Sequence, residues 1–305
     1  MSAEVAGAPV SFGVFELTPE GAETVTADQL LESLQASGYR GVDLGPLGFL
    51  GRGRELRTRL ARFELELAGG WVQLPFSDDE AFAASLPQLT EALRAFAESA
   101  EDGPSRMPLP TLADDGSALR QGAPGHGHEI DPLSDPAWGR LVRNSATAAE
   151  LVRAAGFEPT FHHHAGTFIE SPDEIDRFLA EVDIDLTLDT GHLVIAGGDP
   201  VGALQRWGDR INHLHLKDVD LAVLDGVLAA GGGMREVWSS GAFVAFGRGD
   251  IDLDNVLTTV SSRGFDGWIV VEQDVLNGPD VAIDAFLAAR AHDQKLNRDA
   301  LRAWA

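Results

Sequence analysis

Cysteine is absent from this 305-residue chain, and lysine occurs only at positions 217 and 295. Without thiols there are no disulfides or thiolate metal sites, so metal ligands must be His, Asp or Glu, which favour Mn, Mg, Co, Fe or Zn. No apolar run reaches the roughly 18 residues of a membrane span. The N-terminal MSAEVAGAPVSFG lacks the basic start and apolar core of a signal peptide. We therefore expect a cytoplasmic protein with no membrane partner.

Basic residues are scarce. The chain has 23 Lys and Arg against 48 Asp and Glu, and its formal net charge is −25. Such a surface repels phosphate backbones, so we expect no nucleic-acid partner. A chain of this length buries a large core and suits one α/β barrel or two smaller domains.

Short apolar runs alternate with helical patterns along the chain. The runs predict strands at 10–16, 41–45, 66–74, 107–113, 159–165, 184–190, 211–218 and 267–274. Helices are predicted at 26–38, 79–99, 135–156, 171–182 and 252–264. The start of 171–182 is clear, because Ser171 can cap it, Pro172 suits a first turn and Glu174 completes a capping box.

Eight strand–helix units in about 300 residues predict an α/β fold, a single (β/α)8 TIM barrel spanning 1–305. A doubly wound sheet is the competing fold, but no GxGxxG follows the first strand. Insertions at about 114–134 and 219–250 would lie on the catalytic face as lids, with disorder as the alternative for both. The second insertion would equally serve as a subunit contact, so a homo-oligomer is compatible with the sequence.

Histidines cluster at the ends of apolar runs. Six of the nine lie within 161–218, together with Lys217, and they are His162, His163, His164, His192, His213 and His215. Polar groups at the ends of buried strands are costly unless something binds them. Residues two apart in a strand share a face, so His162 and His164 point one way and His163 points the other.

If one face of each strand lines the barrel, Asp189, His215 and Glu272 converge near its C-terminal mouth. Two or three imidazole and carboxylate ligands leave open positions on a divalent metal, which a carbonyl and a neighbouring hydroxyl of a substrate would take. Glu272 follows the apolar run WIVV, where a lone buried carboxylate without a partner would be expensive. Asp189 has an alternative interpretation as a turn or helix cap.

The remaining candidates have structural alternatives as well. We expect His192 to be a second-sphere partner or a substrate donor rather than a ligand, His213 to be a packed, hydrogen-bonded core residue, and His163 to face the helical layer. Lys217 would either pair with a carboxylate such as Asp218 or Asp250, or donate to a substrate oxygen and stabilise an enolate.

Three motifs carry a family resemblance. LDTGH (188–192), HLHLKD (213–218) and GWIVVEQD (267–274) resemble the sixth, seventh and eighth strands of the xylose isomerase-like TIM barrels. HHHAGT (162–167) and AGGDP (196–200) are most similar to inosose dehydratase-type members. The resemblance implies one divalent metal ion (Mn, Co, Mg or Zn), bound through Glu, Asp, His and Glu on strands five to eight.

Carried over, the resemblance implies metal ligation by Asp189, His215 and Glu272. The family's fifth-strand Glu has no match in FHHHAGT, where His162 or His164 stands near its place and His162 aligns better. The resemblance therefore implies a histidine, His162 or His164, as the fourth ligand. Epimerases of the family use two carboxylates, and here only Glu272 is clearly placed, which favours elimination with a single carboxylate base.

The implied activity is a metal-dependent dehydration of a small polyol or keto-sugar through an enediolate. Glu272 or a histidine of 162–164 would remove the α-proton, Lys217 would hold the enediolate, and an imidazolium such as His164 or His192 would protonate the departing hydroxyl. A sugar isomerase or ketose epimerase on the same site is the first alternative. A non-catalytic sugar-binding barrel is the second, and endonuclease IV chemistry is disfavoured by the acidic surface.

Overall fold

Eight parallel strands close on one another into a barrel in the computed structural model, which describes residues 3–15, 18, 23–278 and 280–304. Around the barrel the strands follow the order β1-β10-β7-β6-β5-β4-β3-β2, while β8 and β9 form a separate antiparallel pair. Their bounds are β1 Glu4–Gly7, β2 Gly41–Asp43, β3 Glu66–Leu74, β4 Leu109–Asp114, β5 Thr160–His162, β6 Asp185–Asp189, β7 Ile211–Leu216, β8 Asp218–Val219, β9 Phe243–Val244 and β10 Trp268–Val271.

Helices surround the barrel and fill both insertions. In chain order they are α1 Ala27–Ser37, α2 Gly53–Arg62, α3 Asp79–Ala100, α4 Ala118–Gln121, α5 Gly127–Ile130, α6 Asp135–Ala154, α7 Pro172–Glu181, α8 Thr190–Ile195, α9 Pro200–Trp207, α10 Leu221–Ala229, α11 Met234–Ser240, α12 Leu253–Ser262 and α13 Ile283–Ala300. Short 3-10 turns lie at Pro9–Phe12 and Gly208–Arg210. This is the predicted (β/α)8 TIM barrel. Within the described residues, no helix is both long and apolar enough to cross a membrane.

The first strand was predicted in the wrong place. It lies at Glu4–Gly7, paired on both sides, and the predicted run 10–16 instead forms a 3-10 turn and irregular chain, with residue 16 outside the described residues. Pro9 has no N–H for a sheet ladder, and Gly13 ends the turn at a φ of 73°, which favours glycine. The other seven predicted strands and the five predicted helices each overlap an observed element.

The inside of the barrel is apolar around Ala6, Ala68, Trp268 and Val270 and polar toward its C-terminal mouth. Thr160 and Thr187 join their hydroxyls at 2.8 Å between β5 and β6, and the strand register sets Asp189 beside His215. The outward faces are apolar and pack under the helices, as where Phe161 meets Phe178 at a ring-centroid distance of 4.1 Å. Because side chains alternate along each strand, the inward set reaches the C-terminal mouth as a ring of polar groups.

The first insertion is packed against the barrel rather than left as an open or disordered loop. It contains the short helices α4 and α5, and the side chain of Arg120 is only 1% exposed. That guanidinium contacts Glu174 at 2.9 Å and donates to the carbonyls of Asp131 (2.9 Å) and Thr167 (3.1 Å). These bonds fasten the insertion to the loop that precedes α7.

The two ends of the second insertion are hydrogen-bonded to each other where they meet the barrel. The carboxylate of Asp218 accepts hydrogen bonds from the backbone N–H groups of Gly247 (2.9 Å), Gly249 (3.0 Å) and Ile251 (3.2 Å). The N–H of Asp220 also donates to the carbonyl of Ala242 at 2.8 Å. The helices α10 and α11 therefore lie in a segment whose two ends are tied together.

Candidate metal centre and active site

Four buried side chains meet at the C-terminal mouth of the barrel. They are His162 on β5, Asp189 on β6, His215 on β7 and Glu272 just after β10, and one donor atom of each lies within 4.8 Å of the others. His162 Nε2 is 3.4 Å from Asp189 Oδ2, and His215 Nδ1 is 3.0 Å from Glu272 Oε2. The structure thus brings together the four residues that the sequence predicted as metal ligands.

The chemistry of this donor set fits a divalent ion. Two imidazoles and two carboxylates are ligands that Mn, Co and Zn accept, with fewer protein ligands than a closed octahedral shell requires. All four side chains are buried, and buried carboxylates need a cation or hydrogen-bond donors to offset desolvation. This group, His162, Asp189, His215 and Glu272, is called the ligand cluster below.

Lys217 lies beside the ligand cluster, with its side chain 1% exposed. Its ammonium group is 2.6 Å from Asp189 Oδ2, contacts Glu272 Oε2 and is 3.4 Å from Asp274 Oδ1. The predicted pairing with Asp218 or Asp250 is therefore wrong, because those carboxylates bind backbone amides of the second insertion instead.

The ammonium group, Asp189 and Glu272 hold one another ionised, whereas burial raises the pKa of Asp274 to about 7. Burial alone lowers the pKa of Lys217, but Asp189, Asp274 and Glu272 outweigh it and raise that pKa. Burial alone raises the pKa of Glu272, and the charges of His215 and Lys217 reverse this and hold it low. At neutral pH the pair is a charged ammonium and an ionised carboxylate.

Asp189 caps α8 and also faces the ligand cluster. Its Oδ1 accepts from the N–H of His192 at 2.9 Å and caps α8, while its Oδ2 faces the ligand cluster. Its own N–H donates to His163 Nε2 at 3.1 Å, so the fully buried His163 has a definite partner. The cap and the site depend on the same carboxylate.

His164 and His192 stack at a ring-centroid distance of 3.5 Å, and His192 Nε2 is 3.4 Å from Asp274 Oδ2. Burial lowers the pKa of His164 to about 3 and lowers that of His192 well below its ordinary value. Both rings are therefore neutral. Burial opposes the imidazolium form that the sequence-based mechanism assigned to them, and leaves neutral N–H donors.

His213 is packed as predicted but lacks the predicted hydrogen bonds. It is fully buried, and neither ring nitrogen has a hydrogen-bond partner among the described residues. Its ring lies 5.2 Å from that of His215, centroid to centroid.

A cavity of about 200 Å³ opens above the ligand cluster. Its lining includes three side chains that sequence reasoning did not select: Trp71 on β3, Asp274 after β10 and Trp238 on α11. The Trp71 ring lies 5.3 Å from that of His162. Asp274 had a usable signal, since it follows Glu272 by two residues on the same face. Trp71 and Trp238 had none, because their place depends on long-range packing.

A wider groove lies at the opposite end of the barrel. It encloses about 540 Å³ around Leu109, Ile211 and Gly267, near the amino-terminal ends of the strands. None of the predicted site residues borders it. The chemistry-bearing residues and the larger groove are therefore at different ends of the fold.

Known proteins resemble this chain over most of its length. The model of the xylose isomerase-like TIM barrel family matches residues 31–292. A protein of Geobacillus kaustophilus named inosose dehydratase is 31% identical over 273 residues, which is 88% of this chain and 86% of the relative.

Solved structures share the fold at low identity. A D-allulose 3-epimerase from Methylomonas sp. superposes with a TM-score of 0.69 at 14% identity, covering 100% of this chain and 98% of the other. A protein named IOLI, whose crystal structure has a bound zinc atom, gives a TM-score of 0.67 at 12% identity and covers 99% of both chains. Identities this low support the fold and no more.

Proposed function

Because this chain belongs to the xylose isomerase-like TIM barrel family, we propose that it is a metal-dependent dehydratase of a neutral polyhydroxy ketone, similar in activity to inosose dehydratase. The observation that carries the proposal is the ligand cluster at the floor of a small cavity in the barrel mouth. The relative named inosose dehydratase supports the substrate class.

A divalent ion held by the ligand cluster would act as a Lewis acid and acidify the C–H bond beside a carbonyl. The chain's own residues supply the rest. Lys217 keeps its charge, so it can donate to the substrate oxygen that becomes anionic as the enediolate forms. Glu272 is ionised and can accept the α-proton.

The departing hydroxyl leaves as water by taking up one proton, and the α-proton accepted by Glu272 balances that uptake. His164 and His192 are neutral and line the cavity, so each can donate a hydrogen bond to that oxygen, and each can pass on a proton at one ring nitrogen only as the other ring nitrogen takes one up. The side chain of Trp71 forms a wall of the same cavity and excludes water from the face it covers. No second cation lines the cavity among the described residues, which favours a neutral substrate over a phosphorylated one.

A ketose isomerase or epimerase is the second candidate. Asp274 is favourable to it, because it adds a second carboxylate to the cavity next to Glu272. Both reactions share every step up to the enediolate, and they differ in whether a proton returns or a hydroxyl leaves. A non-catalytic sugar-binding barrel is a third reading.

The decisive assay uses 2-keto-myo-inositol with protein stripped of metal and reloaded with Mn²⁺ or Co²⁺. We expect a dione to form only when metal is present, and its ultraviolet absorbance measures the rate. Glu272→Gln should lose this turnover. Glu150→Gln is the matched control, because that carboxylate is on α6 and its side chain is 75% exposed.

The other outcomes of this assay test the ligand cluster, the substrate and the enzymatic activity separately. Product formed equally without metal would refute the role of the ligand cluster. Tight metal binding without product would refute this substrate, and ketose epimerase assays would follow. Sugar binding of equal affinity in the unchanged protein and in Glu272→Gln, with no turnover of any tested substrate by the unchanged protein, would favour the binding barrel.

A further inference from the structure

The carboxylates of Glu272 and Asp274 lie on irregular chain. β10 ends at Val271, and residues 272–278 have no regular secondary structure. The Glu272 backbone is still held by the carbonyl of Leu216, to which its N–H donates at 3.0 Å. Beyond that point the strand ladder no longer fixes the chain, so its position in the barrel mouth must come from other contacts.

Gln273 supplies those contacts from the opposite face. It is 4% exposed, and its N–H donates to Ser11 Oγ at 2.9 Å. Its side-chain amide donates to the carbonyl of Phe243 at 3.1 Å and reaches Asp293 Oδ2 at 3.3 Å. One residue thereby joins the turn after β1, strand β9 of the second insertion and the C-terminal helix α13.

The acceptor on α13 is itself held by charge. Asp293 is paired with Arg290 at 3.0 Å and lies 3.7 Å from Arg248, which follows β9. One helical turn later, Asn297 Oδ1 accepts from the N–H of Phe246 at 2.8 Å. Helix α13 therefore anchors the return of the second insertion and the segment with the two carboxylates together.

We propose that Gln273 is a positioning residue that holds Glu272 and Asp274 in the barrel mouth and couples the second insertion to the metal centre. The inference rests on the proposed metal-dependent function. Ser11, Phe243, Gln273 and Asp293 are called the Gln273 clamp. Groups that orient metal ligands in this way typically change metal affinity or activity by roughly 10–100-fold when they are removed.

The test is Co²⁺ binding by Gln273→Ala, read by calorimetry and by the visible absorption of the bound ion. Gln294→Ala is the matched control. Gln294 is a fully buried glutamine on α13, next to Asp293, and its side chain accepts a hydrogen bond from the Tyr39 hydroxyl. Both variants lose a buried amide, so both should unfold at lower temperature. We expect only Gln273→Ala to bind Co²⁺ at least about tenfold more weakly and to show an altered absorption spectrum.

Asp293→Asn is the conservative variant. It loses the ion pairs with Arg290 and Arg248 but keeps an oxygen that can accept from Gln273, so it should bind Co²⁺ more tightly than Gln273→Ala does. Wild-type affinity and spectrum in Gln273→Ala, despite a lower unfolding temperature, would overturn the proposal and leave Gln273 a stability residue.

The clamp can also be tested apart from metal binding. Amide hydrogen exchange is measured without metal on the unchanged protein, Gln273→Ala and Gln294→Ala. If the unchanged protein binds no metal, the proposed function fails. The clamp then stands only if Gln273→Ala raises exchange at both 243–248 and 272–276 above the level of Gln294→Ala, and it falls if exchange there is unchanged.

Discussion

Lys217→Met should make the metal-free protein less stable and its metal affinity higher. The ammonium group shares Asp189 Oδ2 and Glu272 Oε2 with the ligand cluster, and it also lies near Asp274. Methionine keeps the length and bulk of the lysine stem and removes only the charge. Three buried carboxylates then lose their nearest fixed cation.

The size of the effect follows from that geometry. Breaking a buried ion pair by removing one partner costs about 3–5 kcal/mol, because an uncompensated charge is left behind. We expect a loss of this order in the free energy of unfolding without metal. A divalent ion then meets carboxylates that no ammonium competes for, so its affinity rises, while turnover falls because the enediolate loses its donor.

Urea unfolding with chelator and again with Co²⁺ measures both effects. A ligand at 100 times its dissociation constant stabilises by about 2.7 kcal/mol, and the gain should be larger in Lys217→Met than in the unchanged protein. Lys295→Met is the control, since this lysine is 54% exposed and its ion pair within the described residues is with Asp299 on its own helix. Equal unfolding midpoints for the two variants without metal would refute the reasoning.

Three further predictions concern other parts of the molecule. Burial raises the pKa of Asp114 to about 7, above its unfolded value. Between about pH 4 and 7 the folded state therefore binds more protons than the unfolded state, and the free energy of unfolding falls as pH rises through that window. Asp114→Asn should flatten the dependence of this free energy on pH by up to about 1.4 kcal/mol per pH unit. A pH profile of unfolding that is unchanged in the variant would contradict it. Arg120→Met should raise KM and increase proteolysis within 114–134, whereas the exposed Arg94→Met should do neither; cleavage rates compare them directly. Trp71→Ala should raise KM about tenfold or more and leave Co²⁺ affinity unchanged, because the indole lines the cavity without belonging to the ligand cluster. Weaker Co²⁺ binding by this variant would show that Trp71 supports the metal ligands instead.

The convergence of Asp189, His215 and Glu272 was predictable because it depends on two local rules, whereas the family resemblance supplied His162 as the fourth member. Alternation along a strand puts His162, Asp189 and His215 on inward faces, and parallel strands carry their ends to one mouth. Neither rule needs knowledge of distant contacts. The same logic would have selected Asp274, which shares the face of Glu272.

Other features were beyond local reasoning. The run 10–16 has strand-forming residues, yet the strand lies at Glu4–Gly7, and the chain from Pro9 to Phe12 forms a 3-10 turn whose first position suits proline. Lys217 does pair with carboxylates, but they are Asp189 and Glu272 rather than the Asp218 or Asp250 given as examples, because the sequence does not show which carboxylates lie across the barrel. The packing of the first insertion depends on the buried Arg120, whose sequence context is that of an ordinary polar loop.

The tied ends of the second insertion make it an exchangeable cassette. Asp218 and the pairing of Asp220 with Ala242 close the segment at its base, so its helices can be replaced without reaching the barrel strands. Those helices carry Met234 and Trp238, which border the cavity, whereas the ligand cluster lies outside the segment. A foreign 221–241 segment would therefore replace part of the cavity wall and none of the ligand cluster, provided that it keeps the bond from the Leu276 N–H to the carbonyl at position 238.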